Sequence, residues 1–499
     1  MNTPFMDDVP PRRRFRKRWI LWTLLISWVA IGMWNTTRPM APGTDVDTPA
    51  IAVNAADVQF LADLTYTDPR GNAVYEQRIF DQVLRIVDES ESFVVADFFL
   101  FNDLMGAQSA AHRQLSRELA DHLIARKAAR PKLAVLIVTD PINEVYGGAH
   151  SALLDELRRA GIDVVVTDLA QLRDSNPVYS ALWRSLFQWW GNSASGGSLD
   201  NPFDDGPSRI TLRSWLALLN FKANHRKLIV ADRADATLAA LVTSANPHDA
   251  SSGHSNVALR ISGAAALQLV ESELAIARFS GWPGHIYAAA PAAPPVDAAN
   301  AVQLKFVTEA AIRRHLLGAI DSTRNGDAVR IATFYLADRK IVRALLDAAS
   351  RNVNVQLILD PNRDAFGRQK DGVPNRPVAN ELVTRGGGRI AVRWYRTHGE
   401  QFHTKLALIT RAGRLVASLG SANLTRRNLG NYNLEANLAL ECDQQAAPAL
   451  AMLNYFDRLW NNEGSAGAEY TAAFGAYEDP DTGRYWRYRI MEATGMSTF

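Results

Sequence analysis

The sequence predicts an α/β protein made of two similar α-β-α sandwich domains, preceded by a helix long and apolar enough to cross a membrane. Three observations predict it. Short β-branched runs alternate with amphipathic stretches of helical length along most of the 499 residues, the pattern of helices layered on both faces of a sheet. That alternation occurs twice, so the two domains are expected to pack about a pseudo-twofold axis. Near the start, the uncharged run Trp19–Trp34 (WILWTLLISWVAIGMW) follows the basic run RRRFRKR. Composition agrees, since 47% hydrophobic and 21% charged residues are globular values, and the chain is too long for one core.

Sixteen helical residues at ~1.5 Å each reach about 24 Å, somewhat short of a ~30 Å hydrocarbon core. Thr36 and Thr37 extend the run, and Trp19, Trp22, Trp28 and Trp34 suit anchoring at its edges. Residues 1–18 are read as a basic cytoplasmic segment, 19–37 as the transmembrane anchor, and the Pro/Thr/Ala-rich 38–57 as a tether. The basic flank stays in the cytoplasm, which places the remainder on the periplasmic, extracytoplasmic side of the cytoplasmic membrane. No small-x-small site follows the run, so a retained single-pass anchor is expected over a cleaved signal peptide. The single cysteine, Cys442, excludes an intramolecular disulfide framework and a cysteine-rich zinc site.

Residues 58–286 form the first predicted domain and 302–499 the second, joined by the Ala/Pro-rich linker YAAAPAAPPVDAANA. In the first, VLRIVDESESFVVADFFLFND, LSRELADHLIARKAA and KLAVLIVTDPIN read as helix, strand, helix, strand. In the second, LLGAIDSTRNGDAVRIATFYLAD, KIVRALLDAASRN and VNVQLILDPNR read the same way, and both series end in Asp-Pro (Asp140-Pro141, Asp360-Pro361). The first domain is longer by an insertion near 172–221, with Trp183, Trp189, Trp190 and Trp215. An ordinary helical insertion with its aromatics in local core is expected; a lipid-facing or substrate-gating element is the alternative.

Each domain then carries one chemical pattern. NHRKLIVAD holds His225 and Lys227, and FHTKLALIT holds His403 and Lys405. Ser244-Ala245-Asn246 and Ser421-Ala422-Asn423 follow, 17 and 16 residues past the respective lysines. Residues i and i+2 of a strand share a face, so each domain offers an imidazole, an ammonium, a hydroxyl and an amide together. Two such sets face to face suit a phosphodiester. One histidine attacks phosphorus and the other protonates the leaving oxygen, then activates water or an alcohol. Lysines and asparagines hold the non-bridging oxygens, so no metal or other cofactor is expected. The net charge of +2 supplies no global basic field, which disfavours a nucleic-acid partner.

These motifs resemble the phospholipase D superfamily signature, H-x-K-x4-D followed by G-S-x-N, and the resemblance spans about residues 58 to 460. His225, Lys227 and Asp232 match the first copy, with Thr243 where glycine is usual; His403, Lys405 and Gly420-Ser421-Ala422-Asn423 match the second, with Thr410 at the aspartate position. The resemblance implies His225 as nucleophile and His403 as acid/base. It also implies Lys227, Lys405, Asn246 and Asn423 as their partners, Ser244 and Ser421 at the substrate, and Asp232 as structural support. Family sites carry a carboxylate that orients a histidine; Glu435 in NYNLEANLAL fits this for His403, whereas His254 or Asn256 stands at the matching place in the first copy. Arg426 and Arg427 are candidates for a substrate phosphate or for a solvated pair, and His248 and His398 stand near the motifs. The layout is most similar to the cardiolipin-synthase-like branch, which implies a phospholipid substrate at a membrane. A periplasmic nuclease and an inactive lipid-binding scaffold are the alternatives, and the oligomeric state is left open.

Overall fold

The computed structural model describes residues 12–108, 111–289, 295–297, 301–365, 368–464 and 467–499. Residues 1–11 of the expected cytoplasmic segment 1–18 and most of the linker between the domains lie outside the described residues.

The strand Lys227–Asp232 shows how the apolar runs are used. Leu228 and Val230 enter one core while Ile229 and Ala231 enter another, so a continuous LIVA is the mark of a strand covered on both faces. It is central in an eight-stranded mixed sheet. The order is Ala73–Glu76, Val58–Thr67, Asn256–Ser262, Leu238–Thr243, Lys227–Asp232, Phe93–Phe98, Ala134–Thr139, Asp163–Val166. A nine-stranded sheet runs Ile51–Asn54, Ala301–Thr308, Ala436–Asp443, Arg414–Gly420, Lys405–Arg411, Ala328–Thr333, Asn354–Leu359, Ile390–Tyr395, Thr471–Ala473. Edge strands apart, the order repeats strand for strand, and each His-x-Lys strand takes the same place. Lys227 pairs with Phe98, and Lys405 with Thr333.

One face of each sheet is covered by its own helices, Ile79–Glu89 and Leu115–Ala129 on the first and Glu309–Asp321 and Arg339–Ser350 on the second. The opposite faces meet in a shared core holding Val230, Val242 and Leu259 with Leu408, Leu419 and Leu438, flanked by Leu267–Phe279 and Ala447–Asn461. The C-terminal ends of both His-x-Lys approaches therefore lie at one seam.

Two expectations are corrected. Within the 38–57 tether, Ile51–Asn54 is an edge strand of the second sheet, paired with Ala301–Thr308. The alternating IAVN covers an edge that would otherwise expose unpaired amides. In the insertion, Trp189 and Trp190 do not fill local core; Trp189 is 76% exposed. The apolar run near the start is one helix, Arg12–Thr37, which takes in the basic run; Lys17–Thr37 is long and apolar enough to cross a membrane, and most of its side chains are exposed.

Candidate active site

Each histidine is delivered to the seam by the same local device. Asp140 ends a strand, caps its own turn at the amide of Ile142 (2.8 Å), and accepts from the amide of Asn224 (2.7 Å), the residue before His225. Asp360 does likewise with Asn362 (2.6 Å) and Phe402 (2.7 Å), the residue before His403. The Asp-Pro pair is thus a positioning element in both halves. Burial pushes both carboxyls up to about 7.

The backbone then crosses between halves. The His225 amide donates to the carbonyl of Leu434 (2.9 Å), and the Leu434 amide to that of Ala223 (3.1 Å); Ser255 donates to Gln401 (3.1 Å). These crossings set Glu435 beside His225 and Asn256 beside His403. Nδ1 of His225 lies 2.8 and 3.1 Å from the Glu435 carboxylate oxygens, and Nδ1 of His403 lies 3.1 Å from Oδ1 of Asn256. The expected pairing of Glu435 with His403 is therefore overturned: each half supplies the partner of the other half's histidine. An ionised carboxylate only accepts, so His225 carries its proton on Nδ1 and its lone pair on Nε2. Asn256 donates its amide to the carbonyl of His254 (3.1 Å), which turns Oδ1 toward His403 and sets the same tautomer.

Ser244 and Ser421, expected at the substrate, are placed elsewhere. Both are wholly buried. Ser244 donates to Asn256 (2.9 Å) and accepts from the Val257 amide (3.0 Å); Ser421 donates to Glu435 and accepts from the Ala436 amide (3.0 Å). Asn428 also donates to Glu435. The serines hold the residues that hold the histidines. Gly420 permits a close approach there, since a Cβ would stand 2.3 Å from the carbonyl oxygen of Ala436.

The lysines answer each other in the same way. Lys227 donates to the carbonyl of His225 (2.7 Å), and Lys405 to that of His403 (2.9 Å). Phe99 packs beside His225 (ring centroids 4.9 Å apart) and under Lys227 (5.2 Å), and Phe334 beside His403 (5.2 Å) and under Lys405 (5.6 Å). These aromatic floors were missed in the sequence; the repeated Phe in ADFFL and ATFYL was the signal available. Asn246 accepts from the Leu100 amide (3.2 Å), while the buried Oδ1 of Asn423 has no partner among the described residues.

Electrostatically, the seam is short of negative charge. Burial, with Lys227 and Lys405 adding to it, lowers His225 to about 4 against the pull of Glu435. His403 falls well below its ordinary value through burial, Lys405, His254, Lys227 and His225. Burial lowers Lys227 to about 7, and burial with the charge of Lys227 lowers Lys405 strongly. Burial raises Glu435, but His225, Lys227 and Ser421 outweigh it and keep it ionised. Two neutral imidazoles beside two lysines whose charged forms are disfavoured form a site that gains from an entering anion.

Residues 316–460 match the family model for the cardiolipin synthase, phospholipase D-like domain. That match takes in the second His-x-Lys and Ser-x-Asn elements, from His403 to Asn423. Phosphatidylserine synthase from Haemophilus influenzae has a similar fold, with a TM-score of 0.55, 11% identity, and coverage of 94% of this chain and 100% of that one. A phospholipase D family member, Nuc, from Salmonella typhimurium aligns at 22% identity over 32% of this chain and 93% of its own, with a TM-score of 0.25. No curated protein sequence matches.

Other expected residues fall around this centre. Asp232 accepts from the amides of Glu91 (3.2 Å), Ser92 (2.8 Å) and Phe93 (3.0 Å), a clasp between strand ends. Arg226, on the opposite strand face from His225, is fully buried and bonded to Glu273 and Glu309 (both 2.8 Å); Glu309 also accepts the Glu435 amide (2.9 Å). Arg427 binds the carbonyls of Gly495 (2.8 Å) and Ser497 (2.6 Å), and Arg426 the carbonyl of Ser175 (3.2 Å), so both are engaged by protein. His248 binds the carbonyl of Leu104 (2.8 Å), and His398 is exposed.

Proposed function

We propose that the chain is a membrane-anchored phosphodiesterase or phosphatidyltransferase acting on phospholipids through a covalent phosphohistidine. The observation that carries this is the His225–Glu435 bond, which fixes the Nδ1 proton and leaves the Nε2 lone pair for attack. In the first step the Nε2–P bond forms as the P–O bond to the leaving group breaks, and the proton for the leaving oxygen comes from His403. In the second step His403 takes a proton from water or an alcohol, whose oxygen displaces His225 from phosphorus. Lys227, Lys405, Asn246 and Asn423 hold the non-bridging oxygens. The entering diester offsets the lysine charge that depresses His403, so that imidazole gains a proton when an acid is needed.

The anchor helix keeps the site beside the bilayer, with the catalytic lobes on the extracytoplasmic side. The family match to a cardiolipin synthase domain supports a lipid substrate. Asn256, where a second carboxylate would stand, favours an inactive scaffold as the competing reading.

The test is to incubate detergent-solubilised protein with phosphatidylglycerol, phosphatidylethanolamine and single-stranded DNA, beside His225→Ala and His403→Ala. Lipid turnover lost in both variants is expected. With a 4-nitrophenyl diester, whose leaving group needs no proton, His403→Ala should accumulate an acid-labile phosphoenzyme and His225→Ala none. Cleavage of DNA alone would make the chain a nuclease, and no turnover of any diester would make it a scaffold.

A further inference from the structure

The insertion at 172–221 is built against the foot of the anchor helix. Its helix Pro177–Leu182 continues through a turn to Phe187 and packs at Gly32, where a Cβ would stand 3.2 Å from the Pro177 carbonyl oxygen and 3.6 Å from Ala181. The junction is stitched by hydrogen bonds. Asp174 N–H donates to Asn35 O (2.9 Å), Thr36 Oγ1 to Asp174 O (3.2 Å), Arg38 to Leu172 O (2.7 Å), and Arg173 to Arg38 O (2.6 Å). The side of the insertion helix away from this junction is apolar and uncovered. Val178, Leu182, Leu186 and Trp189 follow one another at helical spacing, 54%, 39%, 53% and 76% exposed, with Trp190 alongside.

The depth of this stripe follows from the anchor. Gly32 lies five residues before Thr37, the end of the apolar span, and at ~1.5 Å per residue that is about 8 Å inside it. Helices that lie in a membrane interface bury an apolar face ~5–10 Å deep, and tryptophan favours that zone. The exposed stripe and the exposed apolar residues of Lys17–Thr37 thus belong to two helices that meet at Gly32.

We propose that the stripe from Val178 to Trp190 is a second membrane contact, lying in the plane of the leaflet nearest the catalytic lobes with its apolar residues among the lipid chains and headgroups. It rests on the anchoring reading given under the proposed function. A rigid connection runs from it to the chemistry. The buried Asp174 carboxylate pairs with Arg184 (2.8 Å) on the insertion helix and with Lys222, three residues before His225. Seating the stripe in lipid thus sets the height and tilt of the His225 strand relative to the bilayer.

The test uses the full chain reconstituted in vesicles of phosphatidylethanolamine and phosphatidylglycerol. Spin labels are placed at Leu186→Cys and, separately, Trp189→Cys, with Ile26→Cys as the reference inside the span and Arg70→Cys as the aqueous reference; the parent, whose Cys442 is buried, is the blank. Labels at 186 and 189 are expected to relax with molecular oxygen as at 26, and to be shielded from a soluble nickel chelate. Accessibility to nickel equal to that at 70 would overturn the proposal. Protection from both reagents would also overturn it, because protein would then cover the stripe. An aqueous reading at 26 beside a lipid reading at 186 would remove the anchor and leave the stripe standing; none of these readouts depends on which diester is turned over.

Discussion

Replacing Glu435 with glutamine isolates the term on which the chemistry depends. Glutamine keeps the size and one acceptor oxygen for His225 but removes the buried charge. A hydrogen bond to a charged group contributes about 1.5–3 kcal/mol, and on the proposed mechanism the imidazolium character that develops on His225 during attack makes that loss a loss of transition-state binding. At about 1.4 kcal/mol per decade, kcat is expected to fall roughly 10- to 150-fold. A second effect has a definite sign. Glu435 supports the ammonium form of Lys227, which burial already lowers to about 7. Without that carboxylate Lys227 deprotonates at lower pH, so the alkaline limb of the rate profile moves toward acid. The assay is headgroup release from mixed micelles across pH 5 to 9, with thermal unfolding as the check on folding. A kcat within threefold of the parent and an unmoved alkaline limb would refute the reasoning.

Asn256→Asp gives His403 a carboxylate partner and should raise its pKa, moving the acid limb of the profile upward. It also sets a carboxylate oxygen against the His254 carbonyl, at a cost of about 1–3 kcal/mol readable by urea unfolding. Asp232→Ala leaves the amides of Glu91, Ser92 and Phe93 without their acceptor, and should cost about 1–3 kcal/mol of stability while kcat is retained. Sulfate binding at pH 8 should take up protons, because an anion restores the lowered lysines; calorimetry in buffers of different ionisation enthalpy reads this directly. Arg226→Met strands Glu273 and Glu309 as buried charges, and should lower stability by about 3–5 kcal/mol in denaturant titrations.

Much of the layout was legible in local pattern. The doubled strand-helix alternation anticipated two sheets of matching strand order, and the pairs that period-two spacing sets together, His225 with Lys227 and His403 with Lys405, each lie against one phenylalanine ring. The pairing of Glu435 was not legible, because it depends on how the two sheets face each other. Spacing along the chain ties Glu435 to His403, whereas the Leu434 crossing ties it to His225. The serines were misplaced for a related reason. Period two puts Ser421 on the face of Asn423, but the close approach at Gly420 turns its hydroxyl into the strand Ala436–Asp443. Burial was the other gap, since nothing in the composition of the insertion separates a partly covered tryptophan, Trp215, from Trp189 in the open.

Because the two lobes trade the residues that steer their imidazoles, neither can be altered alone. A change at position 256 is felt at His403, and a change at 435 at His225. Either lobe expressed by itself would carry its histidine with Nδ1 unattended, and would regain an ordered ring only by finding a mate in solution.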